Sequence, residues 1–237
     1  MASKKFKLTD ELEVTVYKRR LSRSLRLSLA ANGEVRVSVP SWSTFKSGER
    51  FANSKLPWIL EQRQQPTVLQ QGQQIGKTHQ LLFRVSVSAL KTTTRIKDNK
   101  IVVTHPIALS TTASEVQTIA QRAAVRALRQ ESIRLLLPRL ENLAHRHGFT
   151  YTDVTIKQLT SRWGSCDQNR HIALNLFLVQ LPWELIDYVL IHELVHTRHL
   201  NHGADFWDSF ETELPGAKKL RGHIRKHKPV IMSASTL

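Results

Sequence analysis

Cysteine is all but missing from this 237-residue chain: Cys166 stands alone, so no disulfide can close within it and cysteine usage gives no sign of an oxidising compartment. Long apolar runs are missing too. Nowhere do 18 apolar residues follow one another, and residues 1–14 hold no stretch of signal-peptide length, so the expectation is a cytoplasmic protein that does not enter a membrane. Glycine (9) and proline (8) are too few for a collagen-like or low-complexity chain, and no internal period signals a solenoid or propeller. Acidic side chains number only 19 against 35 Lys and Arg. What is present, 41% hydrophobic residues, suffices for a buried core.

The net charge of +16 invites negatively charged partners, and its distribution is uneven. Residues 1–150 carry 25 basic and 10 acidic side chains, a net of +15, whereas 151–217 carry 4 and 9, a net of −5. The segment 218–237 adds six basic side chains and no acidic one. A middle so different from its flanks is a candidate for separate chemistry.

Period-two alternation at Leu12, Val14 and Val16, at Leu25, Leu27 and Leu29, and at Val35, Val37 and Val39 predicts a small antiparallel meander with a turn at Asn32-Gly33. Its polar faces carry Lys18, Arg19, Arg20, Arg23, Arg26 and Arg36. A helical pattern over 44–64 is interrupted near Pro57, and strands are expected over 79–88, 92–97 and 101–104. Thr112 and Glu115 read as a capping box opening a long helix to His147, with Gly148 as its stop and Pro138 as a bend. Strands follow around Val154 and Ile156 and over 172–178, then a helix from Pro182, and two short helices over 204–213 and 215–226. The pattern is α+β. It divides into a basic β-rich N-terminal region, 1–110, and a second domain, 111–237, with a long lead-in helix and a basic tail.

The chemistry concentrates at His192-Glu193-Leu194-Val195-His196. Residues at i and i+4 share one helical face, so both imidazoles can reach one zinc ion while Glu193 lies beside them to take a proton from water. Four of the 11 histidines fall between 192 and 202. His199 shares the face but lies about 10.5 Å from His192 along a straight helix, too far for a common ion whose ligand nitrogens are at most about 4.2 Å apart. His202 follows Asn201, which tolerates a helix-ending conformation, so a turn can bring it back as the third ligand; Asp205, Asp208, Glu211 and Glu213 are fallback oxygens.

The run Ser161-Arg162-Trp163-Gly164-Ser165-Cys166, then Ile172-Ala173-Leu174-Asn175, Pro182, Ile186-Asp187-Tyr188-Val189, His192-Glu193-Leu194, His196, Asn201-His202 and Phe206-Trp207, resembles the YgjP-like metallopeptidase family, related to the SprT-like and WLM zinc proteases. A looser likeness covers 23–40 and the helix around Trp58. The resemblance implies a zincin-like metallopeptidase domain with an HExxH helix, one zinc per chain held by His192, His196 and His202, and Glu193 as catalytic base. The family usually has a glycine in the turn before Ile172; residues 167–171 here have none.

Around this centre, Arg162, Trp163, Asn175 and His199 are candidates for substrate binding, with Arg162 alternatively paired to Asp187, Trp163 in the core and Asn175 bonding backbone. The strand over 171–178 is the expected edge on which an extended peptide would lie. Phe206 and Trp207 read as core. Arg122, Arg126 and Arg129 form a stripe that could track phosphates, although base-stacking aromatics, at 7%, are sparse. The function expected is a zinc-dependent hydrolase of peptides or proteins. The alternatives are a phosphohydrolase acting on nucleotides, or a nucleic-acid-associated module with structural zinc.

Overall fold

The alternating valines of the first third build a four-stranded sheet: β1 (Ser3–Thr9), β2 (Leu12–Arg19), β3 (Arg26–Leu29) and β4 (Val35–Pro40), in the order β1-β2-β4-β3. They belong to a computed structural model that describes residues 3–10, 12–20, 22–29, 34–62, 68–229 and 231. Val14, Val16, Val35, Val37 and Val39 are fully buried. The pairing differs from a meander, since β2 and β4 run parallel from Val14 opposite Val35 to Arg19 opposite Pro40, and β3 is antiparallel to β4. That order gives the two most apolar strands the centre and leaves the Lys- and Arg-bearing β1 and β3 at the edges, where charge discourages further pairing. Asn32 and Gly33 lie outside the described residues. Helix α1 (Phe45–Ser54) covers the valines, with the Thr44 hydroxyl accepting from Ser47 N–H at its start. Gly48 allows this approach, because a Cβ there would stand 2.5 Å from Val16. The break near Pro57 separates α1 from α2 (Leu56–Gln62), where proline occupies the first turn.

The second sheet repeats the first in topology. Its strands β5 (Gln74–Ile75), β6 (His79–Ser86), β7 (Thr93–Lys97) and β8 (Lys100–Pro106) are ordered β5-β6-β8-β7, with β6 and β8 parallel and both edge strands antiparallel to their neighbours. Helix α3 (Ser114–Arg146) follows as α1 follows β4. Ala120, Ala123, Ala124 and Ala127 are buried on α3, and Gly148 takes φ +65° just beyond its end. Thr112 is not its cap: Thr112 N–H and hydroxyl are both engaged with the Ser110 hydroxyl, and α3 starts without a side-chain cap. Because β5 to β8 share a core with α3, the chain divides into compact units Met1–Pro66 and Thr67–Leu237, not at the expected 110–111 boundary.

A third sheet, in the order β10-β11-β9, comprises β9 (Asp153–Lys157), β10 (Gly164–Cys166) and β11 (His171–Asn175). The strand expected over 172–178 stops at Asn175, whose side chain accepts from Phe177 N–H and opens a 3₁₀ turn, Leu176–Gln180. The glycine-free turn before β11 closes with Arg170 at φ +60° and Asp167 Oδ1 accepting from the N–H of Asn169 and His171. Helices α4 (Trp183–Val195), α5 (Ala204–Glu213) and α6 (Ala217–Ile224) complete the unit. Among the described residues no helix is long and apolar enough to cross a membrane.

Candidate metal centre

Apolar residues on several faces bury α4: Leu185, Ile186, Val189, Leu190, Leu194 and Val195 are all in the core. A helix so held has a fixed rotation, and this fixes where its last turn presents His192, Glu193 and the capping residue His196. The chain then turns and brings His202 back before α5 begins. The Nε2 atoms of His192, His196 and His202 lie 3.2, 3.2 and 3.1 Å from one another. Neutral imidazoles converging in a triangle cannot all satisfy one another, because each such nitrogen either donates or accepts. The edges approach the roughly 3.4 Å between neighbouring ligands of a tetrahedral zinc with bonds of about 2.1 Å, so the donor set fits one such ion. His196 Nδ1–H donates to the carbonyl of His199 at 2.9 Å, which leaves its Nε2 lone pair facing the cluster.

The rings rest on an aromatic floor. Phe206, fully buried, lies 5.0, 4.6 and 4.6 Å from the ring centroids of His192, His196 and His202, and Tyr188 stacks on His192 at 6.0 Å. Burial, and then the neighbouring His196 and His202, push the His192 ring down to about 3, so it is held neutral; burial also lowers His196. Glu193 is buried with Oε2 unpartnered among the described residues. Burial pushes its carboxyl up to about 8 against the opposing pull of the Arg162 charge. Gly164 makes room for it: a Cβ there would stand 2.6 Å from Glu193 Oε1 and 2.8 Å from its Cγ.

The remaining candidates separate cleanly. The His199 ring stays out of the cluster while its carbonyl orients His196. Asn175 is fully buried, and its Nδ2 donates to the carbonyls of Leu159 and Arg162, each at 2.8 Å, so it shapes the loop before β10. Trp163 is half-buried against the core and Arg162 is exposed. Asp187 pairs with Arg139 of α3, not with Arg162; Arg139 Nη2 donates to Asp187 Oδ2 at 2.6 Å. Glu211 accepts from Gly216 N–H and Glu213 from His147 Nδ1, and neither they nor Asp205 or Asp208 join the cluster. One further expectation changes. β11 is the central strand, so the sheet edge beside Glu193 is β10. In the arginine stripe, Arg126 donates to the Thr94 hydroxyl and Arg129 to the Ile156 carbonyl. Gly164 and the His199 carbonyl were missed by sequence reasoning; the short spacing from Gly164 to β11 was the available hint.

A family model described as YgjP-like, metallopeptidase domain, matches residues 23–227. No curated protein matches. Two solved structures are partly similar: the metallopeptidase zymogen of Pyrococcus abyssi abylysin, 28% identical, TM-score 0.34, covering 37% of this chain and 89% of that one. The other is the metallopeptidase zymogen of Methanocaldococcus jannaschii jannalysin, 19% identical, TM-score 0.33, covering 37% and 90%.

Proposed function

This chain belongs to the YgjP-like metallopeptidase domain family, and we propose that it is a zinc peptidase in which His192, His196 and His202 hold the metal and Glu193 is the general base. The convergence of three Nε2 atoms within 3.2 Å of one another, next to a buried carboxylate, carries this reading. Zinc on three neutral imidazoles with an open position activates water near neutral pH and polarises a carbonyl.

The protein's own groups do the rest. The peptide aligns along the free edge of β10 by strand addition, which brings its backbone past Gly164 to the Glu193 carboxylate. Glu193 Oε2 takes a proton from water during attack on the carbonyl carbon. The same carboxyl then hands that proton to the leaving amine nitrogen. No acyl-enzyme is needed.

Elemental analysis of the untagged protein tests the site. About one zinc per chain is expected. His202→Ala should cut that content sharply, His196→Ala should lose metal and turnover together, and Glu193→Gln should keep the metal while peptide turnover falls by about 10²-fold or more. Wild-type protein free of metal after incubation with zinc would overturn the reading.

A further inference from the structure

A cavity of about 370 Å³ opens between the loop leading into β10 and the segment that follows α6, with Ser161 and Trp163 on one side and Ile224, Arg225, His227 and Lys228 on the other. It is linked to the candidate centre through neighbouring residues. Trp163 in its wall immediately precedes Gly164, where a Cβ would stand 2.6 Å from Glu193 Oε1. Its far wall is fixed by the fold, because α6 buries Ala217, Leu220 and Ile224 in the core of the unit. The basic segment after 217 is thus folded back beside α4.

The chemistry of the wall is one-sided. Arg225 and Lys228 line it, and no Asp or Glu does among the described residues. The charge of Arg225 reaches Tyr188, the ring stacked on His192, and the charge of Arg162 reaches Glu193. Arg221 lies 4.8 Å over Trp207, which is itself 6.2 Å from His202. His227 Nδ1 is buried with no partner among the described residues. Trp163, Ile224 and Pro229 supply apolar surface. Cations over an apolar wall suit a carboxylate on a short hydrocarbon stem, and the volume is ample for one amino-acid residue.

We propose that this cavity is a specificity subsite that takes a carboxylate of the substrate peptide, with Arg225 as its main determinant; the inference rests on the peptidase reading above. The carboxylate comes from a glutamate side chain near the scissile bond or from the peptide's own C-terminus.

Two readouts on the full-length, zinc-loaded protein test it. Binding is measured on Glu193→Gln with fluorescent alanine octapeptides in which one glutamate is walked through the positions, their glutamine counterparts, and all-alanine peptides with a free or an amidated C-terminus. Either glutamate over glutamine at one position, or free acid over amide, should bind about tenfold tighter, as for loss of one charge-assisted hydrogen bond. Arg225→Gln should bring that ratio close to one while zinc content and affinity for the neutral peptides hold. Lys228→Gln is the second variant, with a smaller fall expected. Ratios near one for every pair, or a preference untouched by both variants, would overturn the subsite. Turnover of the same peptides by wild type separates the two claims. Cleavage without carboxylate preference removes the subsite alone, whereas an Arg225-dependent preference without any cleavage supports the carboxylate site and removes peptide-bond hydrolysis.

Discussion

Position 164 decides how much room Glu193 has. The missing side chain there is not a matter of backbone freedom, since φ is unremarkable; it is a matter of space, with a Cβ falling 2.6 Å from Oε1. Gly164→Ala should therefore push the carboxylate aside, and a displacement on the order of 1 Å costs about 10²-fold in turnover. Zinc content should stay at the wild-type value, because none of the three histidines is touched, so kcat measured beside metal analysis checks the prediction. Two residues on, burial first and then the charge of Glu193 push the Cys166 thiol up to about 11. At pH 7.5 almost none of it is thiolate, so alkylation by iodoacetamide should run well below that of a free thiol; a fast-reacting Cys166, followed by mass spectrometry, would contradict this environment. At this scale the sequence was legible where geometry is local. The i, i+4 spacing announced that His192 and His196 share a face, and simple rise per residue kept the His199 ring out. A turn at Asn201 was enough to suggest the return of His202, although α4 already ends at Val195, whereas the carbonyl of His199 behind His196 and the gap at Gly164 depend on contacts between elements, which no local spacing encodes.

Between elements, Glu131 of α3 is the main polar tie. Buried to 1% exposure, its carboxylate accepts five hydrogen bonds from the turn into β6: the N–H groups of Lys77, Thr78 and His79 at 2.7 to 2.9 Å, and the Thr78 hydroxyl and His79 Nδ1 at 2.6 Å. Gly76, at φ +70°, lets the turn close over it. Burial alone would raise the Glu131 pKa, but the hydrogen bonds from Thr78, Lys77 and His79 outweigh it and leave the carboxyl below its ordinary 4.5. A depressed folded value means that the stabilisation is fully present above the unfolded pKa and is lost as pH falls through the folded one. Glu131→Gln should destabilise the protein by about 3 kcal/mol at pH 7, since an amide offers one acceptor oxygen and turns two hydrogens toward existing donors. The gap between wild type and variant in urea denaturation should shrink as pH is lowered below about 4, and a gap constant with pH would contradict the assignment. The helices α3, α4 and α5 were readable from period and stop residues, Gly148 among them. Strand positions were readable too, but their partners were not, because alternation reports which face is buried and says nothing about whether β2 takes β3 or β4 as its neighbour.

Across the whole molecule, two sheets share one topology, and each is followed by a helix that begins after its parallel central pair. The sequence shows no period because the repeat lies in strand order, with different residues filling equivalent places: Val14 and Val16 in β2, Leu81 in β6. A boundary near 110 would split β5 to β8 from the helix they pack on, which is why the compact unit begins at Thr67. Each unit has a separate apolar cluster, one drawn from residues between Leu12 and Ile59, the other from residues between Leu69 and Ile224. All three converging histidines, Glu193, Gly164 and the carboxylate-binding cavity belong to the second. A domain with its own core folds without its neighbour. A chain that starts at Thr67 should therefore keep about one zinc per molecule and unfold in a single cooperative transition, while the intact protein shows that transition together with a second one from residues 1–66. Calorimetry of both, with zinc determined on each, is the check. A shortened chain that folds yet has lost its metal would mean that residues 1–66 help to build the centre, and the basic first sheet would then have to be counted as part of it.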